Sequence, residues 1–90
     1  MTTTSGVAAT AFTASGSIGM YQVFACLYSL GAGTAYKAHA IIGWDGTGAG
    51  YISGTNGANL SISLSGSNVQ ITQTSGVNQS IYFVYQKIGN

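Results

Sequence analysis

The sequence predicts an all-β fold, an antiparallel β-sandwich of about seven or eight strands. Ser-Gly, Asn-Gly and Asp-Gly dipeptides break the chain at intervals of about 8–12 residues, which is typical of short strands joined by turns. Thr, Val, Ile and Tyr, which favour strands, are frequent between those turns, and no segment has a convincing helical period. A chain of 90 residues forms one domain.

The first half of the chain contains three predicted strands. The first is weak, at residues 7–13, and residues 1–14 are considered either part of the domain or an N-terminal arm or tether. The second strand is long, at 18–29, and the third spans 34–44. Alternation predicts that one face of the third strand carries Tyr36, Ala38, Ala40, Ile42 and Trp44. Both faces of the second strand are largely apolar, so we expect the core to cover one and a neighbouring subunit the other. One of these faces consists of Met20, Gln22, Phe24, Cys26 and Tyr28.

The last third of the chain has the clearest strand pattern. Apolar residues alternate with Ser, Thr, Asn and Gln in three segments separated by turns at 65–68 and 74–78. We therefore predict a three-stranded antiparallel meander, preceded by a short strand at 51–53 and a turn at 54–57. The polar face of the first two strands would carry Ser61, Ser63, Gln70 and Thr72.

Charged residues are unusually few. Only 3% of the residues carry a formal charge, namely Lys37, Lys87 and Asp45, whereas about a quarter of an average globular chain is charged. Two lysines cannot neutralise a run of phosphates, which argues against nucleic acid as a partner. No apolar run reaches the roughly 18 residues of a membrane span, so we expect no membrane insertion.

Small size and unprotected strands predict an oligomer. Cys26 is the single cysteine, so no disulfide within the chain can stabilise the domain. Strand edges are usually protected by charges and prolines, and the chain has few charges and no proline. Oligomerisation is the remaining way to stabilise so small a scaffold.

Groups capable of catalysis are also scarce. Glycosidases use two carboxylates, and Asp45 is the only acidic side chain. Cys26, His39 and Asp45 could formally make a nucleophilic set or a metal site, but their spacing is not that of metal ligands. We instead expect Cys26 to be a buried, unreactive thiol and Asp45 to form an Asx turn before Gly46. The prediction is a non-enzymatic protein without metal or cofactor.

The loop from Asp45 to Gly50 is the predicted recognition surface. Trp44 and Tyr51 flank it, and aromatic rings beside a carboxylate suit ligand binding, including stacking on a sugar. Two other interpretations remain: Trp44 can belong to the core, and the loop can be a plain connection. The candidate receptor-binding residues are Trp44, Asp45 and Tyr51, and the polar strand face is the second choice.

Two segments carry a resemblance to a known group of proteins. The ending NVQITQTSGVNQSIYFVYQKIG, at 68–89, and the stretch GMYQVFA, at 19–25, resemble the C-terminal domains of bacteriophage tail-fibre and other virion proteins. Those domains are similar to jelly-roll trimers of the tumour-necrosis-factor type. The resemblance covers 18–89 and rests on strand patterns, so it transfers no catalytic residue.

The resemblance implies a homotrimeric knob on the virion surface, either a fibre tip or a capsid decoration protein, acting in assembly and host attachment. Its partners would be copies of itself, other virion proteins and a host receptor or glycan. A chain that begins with Met1 and lacks a shaft favours the decoration role. The alternative is a bacterial carbohydrate-binding module or lectin-like adhesin. The expected oligomer interface comprises Met20, Gln22, Phe24, Tyr28 and Tyr82.

Overall fold

The computed structural model describes residues 1–27 and 33–89, without the side chain of Tyr51. Within these residues the fold is all-β, as predicted, and its strands form two antiparallel sheets compatible with a β-sandwich. The strands are β1 (Thr2–Thr3), β2 (Ala9–Thr13), β3 (Gly19–Leu27), β4 (Lys37–Trp44), β5 (Ala49–Thr55), β6 (Leu60–Ser65), β7 (Asn68–Gln73) and β8 (Gln79–Gly89).

The two sheets divide the strands unequally. The large sheet has the order β1-β8-β3-β4-β5, and the small sheet has the order β2-β7-β6. Strands β3, β4 and β5 are successive neighbours, and β8 returns after β6 and β7 to lie beside β3. This order of four strands is that of a Greek key.

The meander prediction is wrong for the last strand. Strands β6 and β7 pair as predicted, with Ile62 opposite Ile71, but β8 joins the large sheet and pairs with β3 over most of its length. Alternation determines which side chains face the core and does not determine the neighbouring strand. The eleven residues of β8 match the nine of β3 better than the six of β7.

Smaller differences concern the bounds of the middle elements. The predicted strand at 51–53 extends over Ala49–Thr55 and takes in the first half of the predicted turn at 54–57. Residues Thr34–Tyr36 form a 3-10 helix ahead of β4, because the backbone N–H of Tyr36 donates to the Gly33 carbonyl at 3.1 Å. The end of the predicted second strand, residues 28–29, lies outside the described residues.

Residues 1–14 contribute one strand to each sheet. Thr2 and Thr3 pair with β8, and β2 pairs with β7. The Thr3 hydroxyl is buried and donates to the Gln79 carbonyl at 2.8 Å. The composition of this segment suggested a tether, but the edges of β8 and β7 offer its backbone hydrogen-bond partners.

The core lies between the two sheets and consists of alternate residues from both. The inner face of β4, predicted from its alternation, is confirmed by the burial of Ala38, Ala40, Ile42 and Trp44. At one end, the Phe12 ring from the small sheet stacks on the Tyr85 ring from the large sheet, with centroids 3.9 Å apart. The other core residues are Ala14, Tyr21, Val23, Ala25, Leu27, Leu60, Ile62, Val69, Ile71 and Ile81.

Gln73 is a buried polar side chain that was not predicted from the sequence. It is fully buried at the end of β7 and organises the turn to β8. Its amide nitrogen donates to the Val77 carbonyl at 2.9 Å, while its amide oxygen accepts from the backbone N–H (2.8 Å) and hydroxyl (2.6 Å) of Ser75. The sequence signal for its burial is its position: Gln73 follows Val69 and Ile71 at every second residue, so it faces the core.

Gln73→Ala should lower the free energy of unfolding by about 1–3 kcal/mol, because it removes three hydrogen bonds to Ser75 and Val77 and the buried side chain that makes them. Gln70→Ala is the matched control, since Gln70 lies on the outer face of the same strand and contacts the Thr10 hydroxyl only at 3.5 Å. Urea denaturation of both variants measures the difference. Equal losses would show that the network around Gln73 does not stabilise the turn.

Candidate functional site

The outer face of the large sheet carries a cluster of exposed apolar side chains. We call this surface the apolar face, and its members are Met20, Phe24, Ile52, Tyr82 and Val84. They are 40–66% exposed, although side chains of this kind are usually inside a protein. Contiguous exposed apolar patches of this sort mark interaction sites.

The register of the sheet brings these side chains together. Phe24 on β3 lies between Val84 on β8 and His39 on β4, and the rings of Phe24 and His39 stack with centroids 6.0 Å apart. Ile52 lies over Gly43, where an added Cβ would come within 3.2 Å of the Ile52 Cδ1 atom. The absence of a side chain at Gly43 therefore makes room for Ile52.

The dimensions of the apolar face match those of a subunit interface. The nine residues of β3 span about 30 Å and four neighbouring strands about 19 Å, which gives a face of about 600 Å². A stable protein–protein interface typically buries about 800 Å² on each partner, including the relief of the side chains. The whole outer face, including its polar residues Gln22 and Gln86, is therefore about three quarters of that value and of the same order as one side of such an interface.

The residues predicted for the oligomer interface fall on this face where the structure describes them. Met20, Phe24 and Tyr82 are exposed there, and Gln22 is half-buried opposite Gln86. Tyr28 lies outside the described residues. The structure thus brings together four of the five residues, from two strands that are distant in sequence.

The prediction of a buried Cys26 is wrong. Its side chain is only half-buried, on the outer face between Tyr82 and Lys37. Its neighbours Ala25 and Leu27 are buried on the inner face, and alternation turns Cys26 the other way. The apolar surroundings in the sequence reflect a strand with two apolar faces, only one of which is in the core.

The outer face of the small sheet is polar, as predicted. Ser63 is exposed there, and Ser61, Gln70 and Thr72 are half-buried beside it. Residues of β2 extend the same surface, where the Thr13 hydroxyl donates to the Asn68 side-chain oxygen at 2.8 Å. The two outer faces therefore differ: exposed aromatic and aliphatic side chains lie among a few polar ones on the large sheet, whereas the small sheet carries hydroxyl and amide groups.

The candidate receptor residues do not form one exposed cluster. Trp44 is only 7% exposed and its indole nitrogen donates to the Gly16 carbonyl at 3.1 Å, which confirms the interpretation of Trp44 as a core residue. Asp45 is exposed in the adjoining loop. The backbone of Tyr51 pairs with Ile42, and its side chain lies outside the described part of the chain.

Asp45 forms the predicted Asx turn. One carboxylate oxygen accepts the backbone N–H groups of both Thr47 and Gly48, each at 2.8 Å. The hydrogen bonds from Gly48 and Thr47 stabilise the ionised form and lower the pKa of Asp45 below its usual value. The loop is thereby held in one conformation by a charge that persists in mild acid.

We expect the free energy of unfolding to change little from pH 7 to about pH 4 and to fall below about pH 4. The pKa of Asp45 is lower in the folded state than its unfolded value of 3.8, so its contribution is complete above that value and is lost as the pH falls through the folded pKa. Urea midpoints across this range measure the effect. Asp45→Asn should reduce the loss of stability below about pH 4. If the loss is unchanged in this variant, another group causes it.

The residues that could formally carry catalysis are not brought together. Cys26 and His39 share the outer face of the large sheet on neighbouring strands, but Asp45 lies six residues beyond His39, about 20 Å along the sheet. Among the described residues, no group of three or more metal-binding side chains is present. Within 1–27 and 33–89, no helix has the length and apolarity that a membrane span needs.

We compared the chain with known protein families, curated proteins and solved structures. No protein-family model, curated protein or solved structure matches the chain.

Proposed function

We propose that this chain is a non-enzymatic structural protein of a bacteriophage particle, a homotrimeric knob on the virion surface that acts in assembly and host attachment. The observation that carries the proposal is the apolar face in a chain with three formal charges. A small domain that exposes aromatic and aliphatic side chains on one sheet is suited to assembly through that sheet. The polar outer face of the small sheet would then face solvent.

For this knob we propose a jelly-roll type of fold, of which the structure shows the coarser β-sandwich-like arrangement. A jelly roll has eight strands arranged in two Greek keys, and the large sheet contains one such arrangement among the eight described strands. Three copies related by a threefold axis use heterologous contacts, so the apolar face of one copy would meet a different surface of the next. The trimer itself is proposed from the resemblance to virion domains.

Measurement of the mass in solution tests the assembly. Light scattering and native mass spectrometry at micromolar concentration should give three times the chain mass of 9.1 kDa. A stable monomer would contradict assembly, and a dimer would contradict only the threefold state. Cys26 provides a second measurement, because its thiol lies on the apolar face and should be labelled more slowly in the oligomer than in a dissociated variant.

The loop that follows β4 is the proposed attachment surface. Beside Asp45 is a concavity of about 490 Å³, with Ile18 exposed on its wall. A loop held by its own hydrogen bonds can present its groups to a partner without losing further freedom.

Asp45→Ala and Tyr51→Ala should therefore each weaken binding to host cells or to purified capsids at least severalfold, while the oligomer keeps its mass. Ser63→Ala on the polar face of the small sheet is the control. Binding equal to that of the parent in both loop variants would place the attachment surface elsewhere. Selective binding to a glycan array, without binding to capsids, would favour the carbohydrate-binding alternative.

A further inference from the structure

A groove of about 600 Å³ crosses the apolar face at the end near Leu27. Most of its walls come from three neighbouring strands, β8, β3 and β4, which run side by side in the large sheet, and Thr34 and Thr55 lie at its edge. Its volume is within the usual range of small-molecule sites, about 300–1,000 Å³. The side chains that line it include Phe24, Cys26, Lys37, His39, Tyr82 and Val84.

We propose that this groove binds an amphiphile with a single alkyl chain and an anionic head group. Phe24, Tyr82 and Val84 offer apolar walls along the groove, and Cys26 between them adds a small polarizable side chain. An alkyl chain lying there would cover side chains that are otherwise 45–66% exposed. Burial of apolar area on both partners would drive the binding.

The head group is assigned from the positive charge of Lys37 beside the groove. Lys37 and His39 are alternate residues of β4, so both point outward along one side of the groove. The hydroxyl-bearing residues Thr34 and Thr55 complete the polar side. Asp45, the only acidic side chain, lies about 26 Å from Lys37 along β4, well beyond the screening length of about 8 Å at physiological ionic strength.

A second copy of the chain is a poorer occupant of the groove. It has one acidic side chain to offer, Asp45, and one oxygen of that carboxylate is already bound to two backbone N–H groups. Interfaces are packed as closely as protein interiors, and a neighbour that lay flat on the sheet would not achieve that packing over this concavity. Phe24, Tyr82 and Val84 belong to both the apolar face and the groove, and the amphiphile would fill the part of the face that a flat neighbour leaves open. The site does not depend on the proposed assembly.

Calorimetric titration with decanoate, decanol and decyltrimethylammonium, each below its micelle concentration, tests the proposal. Decanoate should bind most tightly and the cationic amphiphile most weakly. Lys37→Gln should weaken decanoate about fivefold, the effect of losing one partly exposed ion pair, and leave decanol unchanged. Lys87→Gln is the matched control, because the Lys87 ammonium donates to the Ser17 carbonyl at 2.6 Å, at the other end of the sheet.

Four results would overturn the proposal. They are equal affinity for the three amphiphiles, no effect of Lys37→Gln on decanoate, amide NMR shifts centred away from the groove, and decanoate affinity that weakens as protein concentration rises. The last result would show that a second copy fills the groove. Failure of the proposed assembly is read from the mass without any amphiphile, so the two outcomes are separable.

Discussion

Replacement of both Phe24 and Val84 by Thr should convert the assembled protein into a folded monomer. The two residues are opposite each other on β3 and β8, at the centre of the apolar face. A few well-packed side chains near the centre of an interface carry most of the binding energy, and truncating one of them typically costs about 2 kcal/mol or more. Thr keeps a strand-forming side chain in both positions while removing most of the apolar surface. Light scattering over a dilution series measures the change.

The matched control substitutes two residues on the opposite outer face. Gln70→Ser with Thr72→Ser changes the polar surface of the small sheet and should leave the mass unchanged. Phe24 and Val84 face away from the core, so we expect the double variant to fold. Circular dichroism checks that it does. A folded double variant with the parental mass would exclude the apolar face as the assembly surface.

Ile81→Ala should lower the free energy of unfolding by about 2–5 kcal/mol, because truncation removes buried apolar atoms and leaves a cavity. Ile81 is fully buried in the large sheet, opposite Leu27, and its backbone N–H donates to the Met1 carbonyl at 2.8 Å. Since native domains have a total stability of only about 5–15 kcal/mol, this loss is a large share of it. Urea denaturation measures the loss.

The same substitution at an exposed site provides the comparison. Ile52 is 56% exposed, so Ile52→Ala should change monomer stability by less than about 1 kcal/mol. Both substitutions belong in the monomeric Phe24→Thr, Val84→Thr background, where loss of subunit contacts cannot contribute. If Ile52→Ala were as damaging as Ile81→Ala, the assignment of the two faces of the large sheet would be wrong.

The side-chain pattern along each strand was readable because alternation is a local property. The inner face of β4, the hairpin of β6 and β7 and the Asx turn at Asp45 follow from neighbouring residues, and all three are confirmed. The burial of Cys26 was predicted wrongly and that of Gln73 was not predicted, because burial is not a local property. Burial depends on the face on which a residue lies, and residue type misled in both cases.

The candidate site, too, was predicted from the sequence only in part. An apolar stripe on β3 was evident from residues 20–28, and its companion Tyr82 was inferred from the last strand. The contributions of His39 and Ile52 to that surface depend on the pairing of β3 with β4 and on the close approach of Ile52 to Gly43. The sequence left two interpretations of Trp44, as a recognition residue beside the loop or as a core residue. Its burial and its hydrogen bond to Gly16 show that it is a core residue.

By itself the sequence determined the strand content, the turns, the scarcity of charge and which residues of most strands share a face. These properties depend on the two-residue period of a strand and on local turn chemistry. Only the tertiary structure decided that β8 joins β3, that residues 1–14 enter both sheets and that the second face of β3 is open. Backbone hydrogen-bonding groups are the same for nearly every residue, so they do not specify which strands pair. The pairing depends instead on strand length, register and burial across the whole chain.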